Sequence, residues 1–270
     1  MSITKQQILD KLKYYQDKNF SFNEAEHVYT LDGKVVYGVT SFLNRFVKPF
    51  DADYWSKKKA EEKGITQQEL LKEWDDKRDR SCELGHNVHE WIEHFYESNK
   101  TKLTKDAEAN ERIVKFQKIY ESRLNKLESI GSEIRVFSRK YGIAGTIDKL
   151  YLWEGNVIVG DWKTNKKIKT DKDFCFGKLL YPFERYKENE LNKYSLQISM
   201  YQLLLEEAGI DSDYGFICHI PGGEDDAKIY KLKDFRADLR TYLNHDWMNH
   251  DPAAIVIEEA KEPSKISKIW

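Results

Sequence analysis

Cysteine is scarce and scattered in this chain: Cys82, Cys175 and Cys218 are its only three among 270 residues. An odd number without paired spacing makes neither a disulfide framework nor a zinc site. No run approaches the roughly 18 consecutive apolar residues that a membrane span requires. The opening Met1-Ser2-Ile3-Thr4-Lys5-Gln6-Gln7 lacks the apolar stretch of a secretory signal. These absences lead us to expect a soluble, cytoplasmic protein without membrane partners. An excess of one charge sign is missing too. Lys and Arg number 44 against 46 Asp and Glu, a net charge of −2. That balance argues against coating nucleic acid through bulk charge, and leaves room for local basic patches.

What is present supports a large folded unit: 40% hydrophobic and 13% aromatic residues can fill a substantial core. Apolar spacing predicts a short amphipathic helix within 3–18, then helices over 51–63, 66–77, 84–98 and 107–130, the last ended by Gly131. Thr66 and Glu69 have the spacing of a capping box. Asp32-Gly33 marks a hairpin within 27–39. Strands are expected at 133–139, 143–153 and 157–163, a long polar and aromatic connection at 166–190, and a helix at 191–208 ended by Gly209. Strands at 214–220 and 229–232 and a helix at 235–249 complete the pattern. This order implies an α/β (α+β mixed) architecture, with a central mixed sheet flanked by helices. No clean boundary divides it, so residues 1–270 read as one domain. Within it, 1–80 form a helical and hairpin elaboration, 81–260 the core, and 261–270 a lysine-bearing tail.

The densest chemical signal is Gly145-Thr146-Ile147-Asp148 followed by Val157-Ile158-Val159-Gly160-Asp161-Trp162-Lys163. Strand residues two apart share a face, so Asp161 and Lys163 project together. Asp148, on the preceding strand across a hairpin, can converge on them. Taken alone, Asp-x-Lys reads equally as a structural ion pair at a strand end. A second signal is Gly85-His86-Asn87-Val88-His89, with Glu93 one helical turn beyond His89. It offers a nitrogen and a carboxylate to one cation, or is simply a solvated helix face. The His-Glu-x-x-His order of zinc proteases is absent. A third is Gln197 with Tyr201, which share a helical face and can hydrogen-bond to phosphate. Between the second and third run Lys163, Lys166, Lys167, Lys169, Lys172 and Lys178, interleaved with Phe174 and Phe176 and followed by Tyr181, Phe183 and Tyr186. Such a segment suits a nucleic-acid strand whose phosphates need neutralising and whose bases stack. It equally suits a solvated loop whose aromatics tuck into the core.

Taken in order, the three signals resemble the RecB-like branch of the PD-(D/E)XK nuclease superfamily. The likeness covers roughly 80–205. Trp162-Lys163-Thr164-Asn165 and Lys193-Tyr194-Ser195-Leu196-Gln197 are similar to small tailed-phage exonucleases related to the mitochondrial genome-maintenance exonuclease. The resemblance implies a metal-dependent DNA exonuclease using Mg²⁺ or Mn²⁺. Its metal ligands would be His89, Asp148, Asp161 and the Trp162 backbone carbonyl. Its catalytic residues would be Lys163, Asp148, Asp161 and, around a second metal or in support of the first, Glu93. Gln197, Tyr201, Lys166, Lys167, Lys169, Phe174 and Phe176 would bind DNA. His86 stands where the branch often has Thr, which leaves that position's role open, and Glu133 is an acid without an assigned place. Some relatives hold an iron–sulfur cluster with four cysteines, and three scattered ones exclude it here. No Walker A motif occurs, so no ATP is expected and any motor is a separate protein.

Residues 1–80 and the 166–190 connection are expected to roof the site and leave a channel for single-stranded ends. The implied setting is phage DNA recombination, repair or degradation in the cytoplasm of a bacterial host, beside a recombinase, single-strand-binding protein or helicase. A catalytically silent nucleic-acid-binding module of the same fold, an endonuclease and an RNA-acting nuclease all remain open from the sequence.

Overall fold

In the computed structural model, which describes residues 3–98 and 102–247, the chain opens with helix α1 (Lys5–Leu12). A capping box between Thr4 and Gln7 fixes its start. A meander follows: β1 (Phe20–Asn23), β2 (Val28–Leu31) and β3 (Lys34–Gly38). Asp32 and Gly33 turn β2 into β3 with φ of 52° and 75°, the left-handed pair a two-residue hairpin needs. Then come α2 (Val39–Leu43), α3 (Ala52–Lys63), α4 (Gln67–Ser98) and α5 (Ala107–Ser122). Strands β4 (Glu128–Ser138), β5 (Ile143–Trp153) and β6 (Asn156–Lys163) form a second meander. After an irregular connection, α6 (Glu190–Glu207), β7 (Ser212–His219), β8 (Lys228–Lys231) and α7 (Arg236–Tyr242) complete the described chain.

All eight strands form one mixed sheet in the order β1-β2-β3-β5-β6-β7-β8, with β4 on the remaining edge of β5. β3 runs parallel to β5, and β6 parallel to β7. Alternation along β6 shows the layering. Val157 and Val159 enter a core shared with α1, α2, α6 and α7, while Ile158 and Trp162 enter another shared with α4 and α5. The architecture is therefore a mixed sheet flanked by helices. Among the described residues no helix is long and apolar enough to cross a membrane.

Three local expectations need correction. The helices expected at 66–77 and 84–98 are a single 32-residue helix, α4. The stretch Arg78-Asp79-Arg80-Ser81-Cys82-Glu83 has no apolar residue to show periodicity, yet holds no breaker either. Arg80 ties it to α5 by two hydrogen bonds to Asp106 (2.7 and 2.9 Å), the residue that caps α5. The helix expected to reach residue 130 stops at Ser122. Gly131 is not its terminator but lies in β4, where the pairing with β5 shifts register. The remainder of that stretch had an apolar content compatible with either state. β1 was not anticipated, since four residues are too few to show a period, and its meander joins the central sheet. Residues 248 and 249 of the expected last helix, and the 261–270 tail, lie outside the described residues.

Candidate active site

The site is a fork in the sheet. Pairing between β5 and β6 runs from Trp153↔Asn156 to Lys149↔Gly160 and stops there. β6 continues against β7 alone, with Asp161 opposite Ile217 and Lys163 opposite His219. At its other end the same edge of β5 pairs with β3, through Tyr37↔Ile143 and Gly38↔Ala144. Residues 145–148, Gly-Thr-Ile-Asp, therefore face a gap between β3 and β6, while their opposite edge is held by β4. Two glycines permit the crowding. A Cβ on Gly145 would come within 2.7 Å of the Tyr201 ring and 2.9 Å of Val39, and one on Gly160 within 2.9 Å of Phe216.

Side chains from four elements fill the gap. Asp148 Oδ2 accepts a hydrogen bond from the Trp162 backbone N–H (2.9 Å), doing for β6 what a strand partner would have done. From α4, His89 Nε2 donates to the Trp162 carbonyl at 3.0 Å, and its Nδ1 lies 3.4 Å from Asp148 Oδ2. Lys163 Nζ sits 2.6 Å from Asp161 Oδ2 and 4.9 Å from the Tyr194 ring centre. Gln197 donates to the Tyr201 hydroxyl at 3.3 Å on α6. Asn87 and Gly85 belong to the same turns of α4. A Cβ on Gly85 would lie 3.4 Å from the Thr164 hydroxyl, just beyond the end of β6.

The electrostatics are those of a centre built for a cation. Asp161 is 1% exposed, and apart from the Lys163 ammonium neither of its oxygens has a hydrogen-bond donor. Burial and then Asp148 push its carboxyl well above the ordinary range, against the pull of Lys163. Burial works against the charge on Lys163, but Asp161 and Asp148 outweigh it and hold the amine above its usual value. Burial keeps the His89 imidazole below its usual value, with Asp148 opposing and Lys163 assisting. It therefore favours the neutral form, the one that binds metals. Two carboxylates share one ammonium here, and the negative charge left over in so enclosed a place is costly unless a further cation offsets it. The donor set thus fits a divalent cation.

The sequence left Glu133 unplaced, and the structure puts it at this centre. It lies on β4 between Ser132, opposite Lys149, and Ile134, opposite Ile147, hence across from Asp148. Ligand atoms of His89, Glu133 and Asp148 all come within 4.8 Å of one another. Asp161 is not in that trio, and its carboxylate pairs with Lys163. Although the Glu133 side chain reaches solvent, its partly enclosed surroundings push its carboxyl up to about 8, helped by Asp148, Glu93 and Asp161. Its backbone φ of 47° is unusual for glutamate. Glu93 is half-buried on α4, with its carboxyl raised by burial and by Glu97. The β2 residue Tyr29 was missed altogether: its buried hydroxyl meets Thr146 Oγ1 at 3.0 Å. No sequence signal pointed to Tyr29 or Glu133, since both depend on strand register.

The connection after β6 divides its residues. Phe183 and Tyr186 pack against Phe235 in the core. Phe174 and Phe176 meet edge to face at 4.6 Å and remain 73% and 98% exposed. Lys167 bonds Asp173 at 2.8 Å, and the Lys169 backbone N–H donates to Glu190. Lys166 and Lys167 line a groove of about 600 Å³ with His219, Lys228, Tyr230 and Asp225. His86 is exposed on α4.

Residues 64–260 match the family model of the PD-(D/E)XK nuclease superfamily. A search of curated proteins gives no match. Among solved structures the chain is similar to that titled "Crystal structure of SSO0001", at 16% identity over 96% of this chain and 95% of that one, with a TM-score of 0.33.

Proposed function

The chain belongs to the PD-(D/E)XK nuclease superfamily, and from that premise we propose that it is a DNA exonuclease using Mg²⁺ or Mn²⁺ and preferring single-stranded ends. The observation that carries the reading is the nearly buried Asp161 with its Lys163 partner, set beside Asp148 and His89 in the open fork of the sheet. His89, Asp148, Asp161 and the Trp162 carbonyl would hold the metal, with Glu133 as a further ligand. Bound there, a divalent cation supplies Lewis-acid polarisation of the scissile phosphate and a nucleophilic water at neutral pH.

The chain's own residues do the rest. Lys163, held protonated by two carboxylates, orients the attacking water and offsets charge that grows on the phosphate. Asp148 locks the Trp162 peptide, so the carbonyl that would face the cation cannot rotate away. Gln197 and Tyr201, bonded to each other with the Tyr201 ring close against Gly145, position the phosphate from the α6 side. Glu93 supports the cation from α4. Lys166, Lys167 and Lys169 neutralise neighbouring phosphates. Phe174 and Phe176 present faces on which bases of any sequence stack.

On the same reading the β1–β3 meander walls the cleft and, with the connection, restricts it to one strand entering from an end. The enzyme would act in phage DNA recombination, repair or degradation in the bacterial cytoplasm, alongside a recombinase, single-strand-binding protein or helicase. The test compares circular single-stranded DNA with the same molecule linearised, with Mg²⁺, Mn²⁺ or chelator. Metal-dependent loss of the linear form alone is expected. Equal digestion of the circle would remove the need for an end, and no digestion under any condition would overturn the nuclease reading.

A further inference from the structure

Most arginines whose surroundings are described are tied to acids. Arg78, Arg80, Arg139, Arg185, Arg236 and Arg240 each pair with a carboxylate. Arg135, like Arg45, lies instead against an aromatic ring. It is exposed on β4, and its guanidinium lies over the Phe22 ring at 5.3 Å. No carboxylate of the described residues is in ion-pair contact with it. Arg135 is opposite Thr146 in the antiparallel β4–β5 pair, so the two side chains share a face. Thr146 precedes Asp148 by two residues, and Glu133 precedes Arg135 by two, so Arg135 stands one strand repeat from the candidate metal ligands.

The supports of Arg135 are rigid. Phe22 stacks on Tyr29 with ring centres 4.5 Å apart and planes 26° apart, and meets His27 edge to face at 5.1 Å. Tyr29 is in turn anchored to Thr146. An arginine resting against an aromatic ring loses less freedom when its fork of donors binds an anion. Glu133, two residues away on β4, is the acid whose charge Arg135 partly offsets. Lys163 lies across the fork, on β6.

Building on the nuclease reading, we infer that Arg135, backed by Phe22, is a binding site for the nucleic-acid phosphate next to the scissile one, on the side of the metal opposite Lys163. Two strand residues span about 7 Å, on the order of the step between successive phosphates of an extended single strand. A strand crossing the fork can therefore place one phosphate at the metal ligands and its neighbour at Arg135. The β1–β2 ribbon then contributes to substrate binding through Phe22 as a positioning residue, without touching the reacting atoms.

The test measures binding of a fluorescein-labelled single-stranded oligothymidylate to the full chain in chelator, across a range of NaCl concentrations, together with cleavage in Mn²⁺. Arg135→Gln should weaken binding about tenfold and flatten the dependence of log K on log salt by about 0.7, the loss of one phosphate contact on a single strand. Arg135→Lys should keep the slope. KM should rise in Arg135→Gln while kcat and melting temperature stay at wild-type values. Wild-type affinity and slope in Arg135→Gln, in a protein that does bind and cut, would overturn this inference alone. A wild-type chain that neither binds nor cuts would overturn the nuclease reading and this site with it.

Discussion

The fork between β5 and β6 and the connection over 164–189 both concentrate charge, and they handle it in opposite ways. In the fork, Asp161 is 1% exposed, and the groups around it shift one another's protonation through burial and proximity. In the connection the charges are solvated and settled by local partners, as Lys167 is by Asp173, and Phe176 stands almost wholly in water. A buried, under-satisfied cluster costs stability and persists where chemistry needs it. A solvated loop costs little and can change without harm to the fold. Substitutions in the fork should therefore act on rate and metal, and those in the connection on substrate affinity.

The largest expected effect breaks the fork. Lys163→Ala should lower kcat about 1,000-fold while Mn²⁺ and oligonucleotide binding are largely kept. A variant that cuts at the wild-type rate would remove Lys163 from the chemistry. Next come Asp148→Asn and Asp161→Asn, each expected to weaken Mn²⁺ binding by more than about tenfold in calorimetric titration and to lose activity with it. Unchanged affinity in both would move the metal elsewhere.

Gly145→Ala tests the crowding behind the site. The added methyl meets Tyr201 and Val39, so a loss of about 1–3 kcal/mol in stability is expected, with reduced activity as Tyr201 shifts. Wild-type melting and turnover would show that the cleft relaxes freely.

A pH series sharpens the comparison. The Glu133 carboxyl rises from 4.5 to about 8 in the folded protein. Between those values the folded chain keeps a proton that the unfolded chain has lost. The contribution of Glu133 to metal-free stability is therefore full below 4.5 and lost as pH climbs toward 8. Mn²⁺ must displace that proton, so its affinity should rise over the same interval. Glu133→Gln should flatten both trends, and an unaltered pH dependence of Mn²⁺ affinity would take Glu133 out of the site. The smallest effect lies in the connection. Phe176→Ala should change stability by less than about 0.5 kcal/mol and weaken oligonucleotide binding about fivefold, with kcat unchanged. A fall in kcat instead would place this loop within the catalytic machinery.

The sequence by itself picked out the residues that the structure gathers in the fork. Asp161 and Lys163 were legible as neighbours because a two-residue period fixes which side chains share a strand face, and Asp148 joined them through the motif order of the family resemblance. His89 was legible because helical spacing and motif order placed it with them. The mixed sheet with flanking helices followed from the succession of strands and helices. Tertiary structure decided what depends on register and on which neighbour arrives. The span of α4 was hidden because a solvated helical stretch has no apolar period. β1 and the docking of the meander on β5 were hidden because pairing between distant strands leaves no local mark. Glu133, Tyr29 and Arg135 entered the cleft only when β4, β5 and the N-terminal ribbon came into register. The burial of Phe183 and the exposure of Phe176, both aromatics of one loop, were settled by where Phe235 packs. Local spacing names the residues that can do chemistry, and long-range pairing decides which of them meet.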